Sequence, residues 1–177
     1  MIVCYNYKRK SALAVYTEVT AKTVDLLNID PRPPFYTDKR LDKKVATTTK
    51  DYTGTGYDRG HLGASDASHD WSKETLKATY SMANIVPQTK RANRYKFVSL
   101  EKLEREMAVK HGVLEILTLV YFNDRPKLIG KSGLQVPSAF ALTKNPESST
   151  ATGRKIIRVR SSTPASARFL ATNRPMA

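Results

Sequence analysis

Cysteine, acidic residues and long apolar runs are all scarce in this sequence. The single cysteine, Cys4, excludes an intramolecular disulfide and any zinc site built from several cysteines. We interpret it as a small buried hydrophobic residue. No apolar run approaches the roughly 18 residues that a membrane-spanning helix needs, so the sequence does not predict an integral membrane protein.

The first residues also lack the pattern of a secretory signal. Residues 1–5 carry no basic region followed by a long apolar core, so no such signal is predicted. Two explanations stay open: the protein acts where it is made, or the chain lacks its native N-terminus. The sequence therefore leaves the compartment unknown, and it leaves the oligomeric state unknown as well.

The scarcity of acids leaves a large positive charge. Thirty Lys and Arg residues stand against 16 Asp and Glu residues, which gives a net charge of +14. Such a charge favours binding to a polyanion. Nucleic acid is the first candidate and an anionic membrane surface is the second. Hydrophobic residues make up 40% of the 177 residues, which is enough to build the core of a single domain.

A glycine-rich stretch from Asp51 to Leu62 concentrates unusual residues. It contains three glycines and ends in the run Asp58-Arg59-Gly60-His61-Leu62. A guanidinium group suits phosphate, and an imidazole can take up a proton near neutral pH. This combination suits phosphodiester chemistry. We interpret Gly54 and Gly56 as residues that make turns rather than as a cradle for phosphate.

The first half of the chain combines strands with loops. β-Branched and aromatic residues around a basic turn predict a β-hairpin over 2–20. Three prolines within 28–38 predict an irregular loop. A helix is predicted to begin near Ser72, which would cap it, and 80–86 is predicted to be extended up to Pro87.

The second half contains further strands and a basic end. A core strand is predicted over 113–122, and 128–130 and 134–142 supply further strand candidates. From 145 the sequence is rich in Ser, Thr, Ala and Arg and poor in apolar residues. We therefore predict one domain over residues 1–144, followed by a basic, poorly ordered tail over residues 145–177.

The clearest helix prediction runs from about residue 91 to 110 and ends at Gly112. At about 100° per residue, Asn93 and Glu101 lie on or beside its apolar face, about 80° apart. A carboxylate on the buried side of a helix needs a partner. For Glu101 this partner is a cation, a metal-bound water or an arginine, and a purely structural salt bridge also stays open.

Four motifs in order resemble a known family. Tyr57-Asp58-Arg59-Gly60-His61-Leu62 is followed by Asn84-Ile85-Val86-Pro87-Gln88, then by Asn93 and, eight residues later, by Glu101. Their order and approximate spacing are similar to those of the DNA/RNA non-specific endonucleases, which are ββα-metal (His-Me finger) nucleases. The resemblance covers about residues 2–144. It implies an α+β fold in which an antiparallel sheet carries a strand, a loop with His61 and a helix with Asn93.

The resemblance also implies roles for individual residues. His61 would be the general base that activates water. Asn93 would be the direct protein ligand of one divalent metal ion, Mg²⁺ or Mn²⁺, and Glu101 would hold metal-bound waters. Arg59 would position the motif or contact phosphate, and Asn84 would orient the surroundings of the histidine.

Two further residues have weaker implied roles, and two histidines have none. Arg32, in the proline-rich loop, would match the upstream phosphate-binding arginine of the family, and Gln88 would support the structure. We predict that His69 is solvated and that His111, at the end of the helix, interacts with the helix dipole.

The implied function is metal-dependent cleavage of DNA and RNA without sequence specificity, leaving 5′-phosphates. The alternative is a basic nucleic-acid-binding protein on a nuclease scaffold without turnover, since a net charge of +14 serves both. A nuclease toxin with an inhibitor protein as partner would use the same chemistry. No membrane partner is expected.

Overall fold

The computed structural model describes residues 1–63, 66–146 and 155–160. Within these ranges the strands are β1 (Ile2–Asn6), β2 (Ser11–Thr20), β3 (Asp58–His61), β4 (Ile85–Gln88), β5 (Val113–Tyr121), β6 (Leu128–Ile129), β7 (Leu134–Gln135), β8 (Ala139–Pro146) and β9 (Lys155–Arg160). The α-helices are α1 (Asp66–His69), α2 (Lys73–Thr79) and α3 (Val98–His111). The predicted α+β class with antiparallel sheets is confirmed.

A five-stranded antiparallel sheet forms the framework of the described residues, in the order β1-β2-β5-β8-β9. The predicted hairpin over 2–20 is confirmed, since β1 pairs with β2 from Ile2↔Tyr16 to Asn6↔Ser11. β5 lies at the centre of the sheet, and alternate residues along it are fully buried, as its apolar sequence predicts.

A smaller unit carries the motif residues. β3 pairs antiparallel with β4, and Arg59 lies opposite Pro87. A proline is tolerated here because β4 pairs only with β3 among the described strands. The prediction that 80–86 is extended is wrong in part, because Met82–Asn84 form a 3₁₀ turn before β4 begins.

The helices follow the sequence signals closely. Ser72 caps α2 by accepting a hydrogen bond from the backbone N–H of Thr75, and Gly112 ends α3 with a φ of 86°. The long predicted helix exists, but its first turns, Ala92–Phe97, are a π-helix. The π-helix precedes α3 directly, so it changes the register that a regular α-helix would give to Asn93.

The main hydrophobic core lies between the large sheet, β4 and the start of α3. Its buried members come from these elements, from the π-helix and from the residue after β3: Ala12, Val15, Leu62, Val86, Phe97, Leu100, Val120, Phe140 and Leu142. A second cluster joins the 3₁₀ turn Thr49–Tyr52, β4 and the β6–β7 hairpin through Tyr52, Met82, Ile85, Ile129, Leu134 and Val136. The two clusters hold the β3–β4 pair from both sides.

Two predictions about single residues are wrong. Cys4 is exposed, because it lies in β1 at the edge of the sheet rather than in its interior. His69 is 4% exposed instead of solvated, and its ring packs against the ring of Trp71 with centroids 5.0 Å apart. In both cases the tertiary position, and not the local sequence, decides the exposure.

The described structure extends past the predicted domain boundary. β8 continues to Pro146, and β9 pairs with it from Ala139↔Arg160 to Lys144↔Lys155. The prediction of a basic, poorly ordered tail stays a prediction for 147–154 and 161–177, which lie outside the described residues. Among the residues that are described, no helix is long and apolar enough to cross a membrane.

Candidate active site

The strand β3 presents the two central motif residues on one face. Alternate side chains of a strand point to the same side, so Arg59 and His61 share a face while Gly60 turns into the interior. His61 is the last residue of β3, not a loop residue as predicted. Gln88 supports it from β4, since its amide nitrogen lies 3.4 Å from the backbone carbonyl of His61.

Two aromatic rings hold the imidazole of His61. The ring of Tyr80 meets it edge-on with centroids 5.0 Å apart, and the ring of Phe35 lies 5.5 Å from it. The guanidinium of Arg59 also stacks on the ring of Phe35, 4.7 Å from the ring centroid. Sequence reasoning missed both aromatic residues, because Phe35 comes from the proline-rich loop and nothing local connects that loop to β3.

Asn84 fixes the backbone that follows His61. Its side-chain oxygen accepts the backbone N–H of Gly63 at 3.1 Å, and its amide donates to the carbonyls of Gly63 and Thr79 at 3.0 Å. Its own carbonyl accepts the N–H of Leu62 at 3.0 Å. Asn84 is completely buried. These bonds hold the backbone of the two residues that follow His61.

Asn93 reaches the same region from the π-helix. Its side-chain amide donates to a carboxylate oxygen of Asp58 at 3.2 Å, which leaves its side-chain oxygen as the acceptor. Arg94 donates to both oxygens of Asp58, at 2.8 and 3.1 Å. These hydrogen bonds from Arg94 are the main reason why the pKa of Asp58 is lowered. Asp58 stays ionised beside Asn93, and sequence reasoning had assigned it no role.

An open cleft of about 400 Å³ connects these residues. Its walls come from the proline-rich loop, the 3₁₀ turn, β3 and the π-helix, and its lining residues are Phe35, Thr49, Tyr52, Thr53, Tyr57, Asp58, Arg59, Asn93 and Arg94. Arg59 and Asn93, two predicted site residues from separate elements, therefore face one space. His61 adjoins this space through the ring of Phe35.

The structure does not bring every predicted residue into the cleft. Glu101 lies half-buried in the first turn of α3, and Arg32 is exposed in the proline-rich loop. Neither belongs to the described lining. Gly54 and Gly56 have φ values of 71° and 78°, which confirms that they make turns.

The chemical type of the donor atoms around the cleft indicates which kind of metal ion they could hold. Among the described residues, no group of three or more His, Cys, Asp or Glu side chains is arranged to hold a metal. Zinc sites usually depend on such groups. An amide oxygen beside a carboxylate instead suits a hard cation that keeps most of its water, such as Mg²⁺.

Known proteins resemble this chain over much of its length. Mitochondrial endonuclease G from Bos taurus is 28% identical over 131 residues, which are 74% of this chain and 44% of the relative. The mitochondrial nuclease of Saccharomyces cerevisiae is 29% identical over 120 residues, or 66% of this chain and 36% of the relative. A nuclease from Nostoc is 38% identical over 91 residues, or 51% and 33%. The chain thus spans less than half the length of these relatives.

One solved structure has a similar fold, and one family model matches nearly the whole sequence. A crystal structure of the EndoG/EndoGI complex, which concerns the mechanism of EndoG inhibition, superposes with a TM-score of 0.79. The superposition covers 92% of this chain and 74% of the chain in that crystal structure, at 22% sequence identity. The sequence model of the DNA/RNA non-specific endonucleases matches residues 1–175. The chain therefore belongs to the DNA/RNA non-specific endonuclease family.

Proposed function

We propose that this chain is a metal-dependent endonuclease that hydrolyses phosphodiester bonds of DNA and RNA without sequence specificity. One observation carries the proposal. Arg59 from β3 and Asn93 from the π-helix line the same cleft, and His61 lies two residues after Arg59 on the same face of the strand. The proposed phosphate clamp and the proposed oxygen ligand therefore face one space, and the proposed base adjoins it through the ring of Phe35.

Asn93 is the proposed direct ligand of a divalent ion, Mg²⁺ or Mn²⁺. Asp58 supports this role because it engages the amide nitrogen and so turns the amide oxygen outward. Glu101, which lies eight residues after Asn93 in the first turn of α3, is the proposed acceptor of hydrogen bonds from metal-bound waters. When bound, such an ion would offset negative charge on the phosphate and on the departing 3′ oxygen.

His61 is the proposed general base. It would accept a proton from the attacking water as the new bond to phosphorus forms and the bond to the 3′ oxygen breaks, which leaves a 5′-phosphate. The contacts with Tyr80 and Phe35 restrict the rotation of the imidazole. Asn84 restrains the backbone beside it, so we assign Asn84 a positioning role in catalysis.

Arg59 is the proposed clamp for the scissile phosphate. Its guanidinium lies over the face of Phe35, which leaves the N–H groups at its edge for phosphate oxygens. Arg32 is a proposed second phosphate contact further along the proline-rich loop. These residues would bind backbone phosphates, which every sequence of DNA or RNA provides, so cleavage would be largely sequence-independent.

The test uses supercoiled plasmid and a structured RNA, each with Mg²⁺ or with EDTA. We expect nicking and degradation that need the metal and that fall at least about 100-fold in His61→Ala, the usual scale for loss of a general base. His111→Ala is the matched control, because His111 is exposed at the end of α3. Cleavage that persists in EDTA, or in His61→Ala, would contradict the mechanism.

The alternative is a basic nucleic-acid-binding protein without turnover. It predicts binding of both nucleic acids with no products under any metal condition, and the same assay decides the question. We also include an inhibitor protein among the proposed partners. The superposed EndoG structure is a complex with EndoGI, and the positive charge of this chain would favour an acidic inhibitor.

A further inference from the structure

A second groove lies beside the candidate active-site cleft. It has a volume of about 580 Å³ and is lined by residues 50–51, 53–55 and 129–131. We call it the lysine groove, after Lys50 and Lys131 in its walls. Thr53 lines both the lysine groove and the cleft, so the two spaces share a wall.

A tight contact between distant segments builds this groove. Gly130, in the turn of the β6–β7 hairpin, packs directly on the backbone carbonyl of Asp51, and a Cβ at this position would collide with that oxygen. Beneath the contact, Ile129 belongs to the same buried cluster as Tyr52. The hairpin is thereby held against the 3₁₀ turn, which fixes Lys131 on the wall formed by the hairpin and Lys50 on the wall formed by the turn.

The charge in the groove is positive. Lys50 and Lys131 are both exposed, whereas Asp51 is only 8% exposed. The carboxylate of Asp51 accepts hydrogen bonds from the backbone N–H and the hydroxyl of Thr48, at 2.8 and 2.9 Å. Its charge is engaged in capping the 3₁₀ turn. Two exposed lysines and the uncharged surfaces of Thr53, Thr55, Ile129 and the glycines remain for a ligand, which suits an anion with a chain of sugars.

The same hairpin also borders the cleft. The ammonium of Lys127, just before β6, lies 5.2 Å from the ring centroid of Tyr57, and Tyr57 lines the cleft. Lys127 therefore places a positive charge beside the cleft, four residues before Lys131 along the chain. A polyanion that occupies the cleft can extend along the hairpin into the lysine groove.

We propose that the lysine groove binds the phosphate backbone of the nucleic acid beside the scissile bond, so that efficient cleavage needs a substrate several nucleotides long. This inference rests on the proposed function for the identity of its ligand. It adds a binding site outside the cleft, formed by Lys50 and Lys131.

The first test measures binding without cleavage. The double variant Lys50→Gln/Lys131→Gln is compared with the wild-type chain by fluorescence anisotropy in EDTA, with a single-stranded oligonucleotide of about 30 nucleotides. We expect about tenfold weaker binding at low salt. The slope of log K against log salt should fall by about 1.4, because each lost phosphate contact on a single strand removes about 0.7.

The control removes the same charge elsewhere. Lys22→Gln/Lys110→Gln changes two exposed lysines near the C-terminal end of α3, where Ala21 bonds to the carbonyl of Gly112. This end of the helix lies opposite the end that Asn93 precedes. The control should weaken binding by less than about twofold. Equal losses in both double variants would overturn the proposal, because they would show an effect of net charge alone.

The second test uses cleavage and varies substrate length. With Mg²⁺, the ratio of kcat/KM for the long oligonucleotide to that for a trinucleotide should fall about tenfold in Lys50→Gln/Lys131→Gln. An unchanged ratio would overturn the proposal. If the wild-type chain cleaves neither substrate, the proposed function fails, while the binding test in EDTA still decides the role of the groove.

Discussion

The carboxylate of Asp58 accepts a hydrogen bond from the side-chain amide of Asn93 at 3.2 Å. Because the amide nitrogen faces Asp58, the amide oxygen faces away from it and is available to a cation. Arg94 binds the same carboxylate, so the aspartate brings no uncompensated negative charge to the cleft. Asp58 therefore orients the proposed metal ligand without repelling a phosphate.

The first prediction concerns this orientation. Asp58→Asn removes the charge that holds Arg94 and weakens the contact with Asn93. We expect the Mg²⁺ concentration for half-maximal cleavage to rise about tenfold or more, as is usual when a partner of a metal ligand is lost. Asp124→Asn, in the exposed segment after β5, is the control. An unchanged metal requirement in Asp58→Asn would show that Asp58 does not orient Asn93.

The second prediction separates metal binding from nucleic-acid binding at Asn93. Asn93→Ala removes the proposed oxygen ligand, so kcat/KM should fall at least about 100-fold and more Mg²⁺ should be needed. Affinity for DNA in EDTA should stay within about threefold of the wild-type value, because Arg59 and the basic surface remain. Asn123→Ala, an exposed asparagine, should change neither. Equal loss of metal and DNA binding would mean that Asn93 is structural.

The proposed site residues that lie within short motifs could be placed on their elements from the sequence. Arg59 and His61 share one strand, and Asn93 precedes a helix whose period and glycine stop are visible in the sequence. Those signals are local. The contacts of Phe35 with His61 and Arg59 are not local, because the proline-rich loop reaches β3 only in the folded chain.

The burial of Glu104 on α3 could also have been predicted from the sequence. On a wheel that starts at Asn93, Glu104 lies at about 20°, inside the apolar face, and it is 4% exposed in the structure. Leu103, placed on the edge of the same face, is 36% exposed. The exposure of Leu103 differs from the prediction of the wheel. The π-helix that precedes α3 explains part of this difference, because it offsets the wheel relative to Asn93.

The third prediction concerns stability at mildly acidic pH. Burial, and then the nearby positive N-terminus, lower the pKa of His69 from 6.5 to about 4. Between these values the unfolded chain binds a proton that the folded chain does not. Stability should therefore fall as the pH drops from 6.5 towards 4, at up to about 1.4 kcal/mol per pH unit.

His69→Phe keeps an aromatic ring beside Trp71 and removes the titration. Urea unfolding at several pH values should give a flatter dependence between pH 6.5 and 4 in this variant than in the wild-type chain. The control is His111→Phe, which makes the same substitution at an exposed histidine at the end of α3. The same slope in His69→Phe and the wild-type chain would contradict the assignment. Buried carboxylates such as Glu104 are present in both chains, so they do not affect the comparison.

The fourth prediction concerns a buried ion pair that joins α3 to β8. The ammonium of Lys144 lies 3.4 Å from a carboxylate oxygen of Glu104 and 3.3 Å from the carbonyl of Leu100. Lys144→Met leaves the buried carboxylate without its cation and should cost about 3–5 kcal/mol of stability. Combining it with Glu104→Leu should recover most of that loss, because two apolar side chains then replace the pair.

The exposed pair Lys102–Glu106, at 3.9 Å, provides the control, and Glu106→Gln should cost less than about 1 kcal/mol. The pH dependence then distinguishes a charge effect from a loss of packing. Burial already raises the pKa of Glu104, and Lys144→Met should raise it further. The folded variant then holds a proton that the unfolded chain releases near pH 4.3. Its deficit relative to the wild-type chain should therefore grow as the pH rises above the pKa that Glu104 has in the wild-type fold. A deficit that does not change with pH would mean that Lys144 contributes through packing alone.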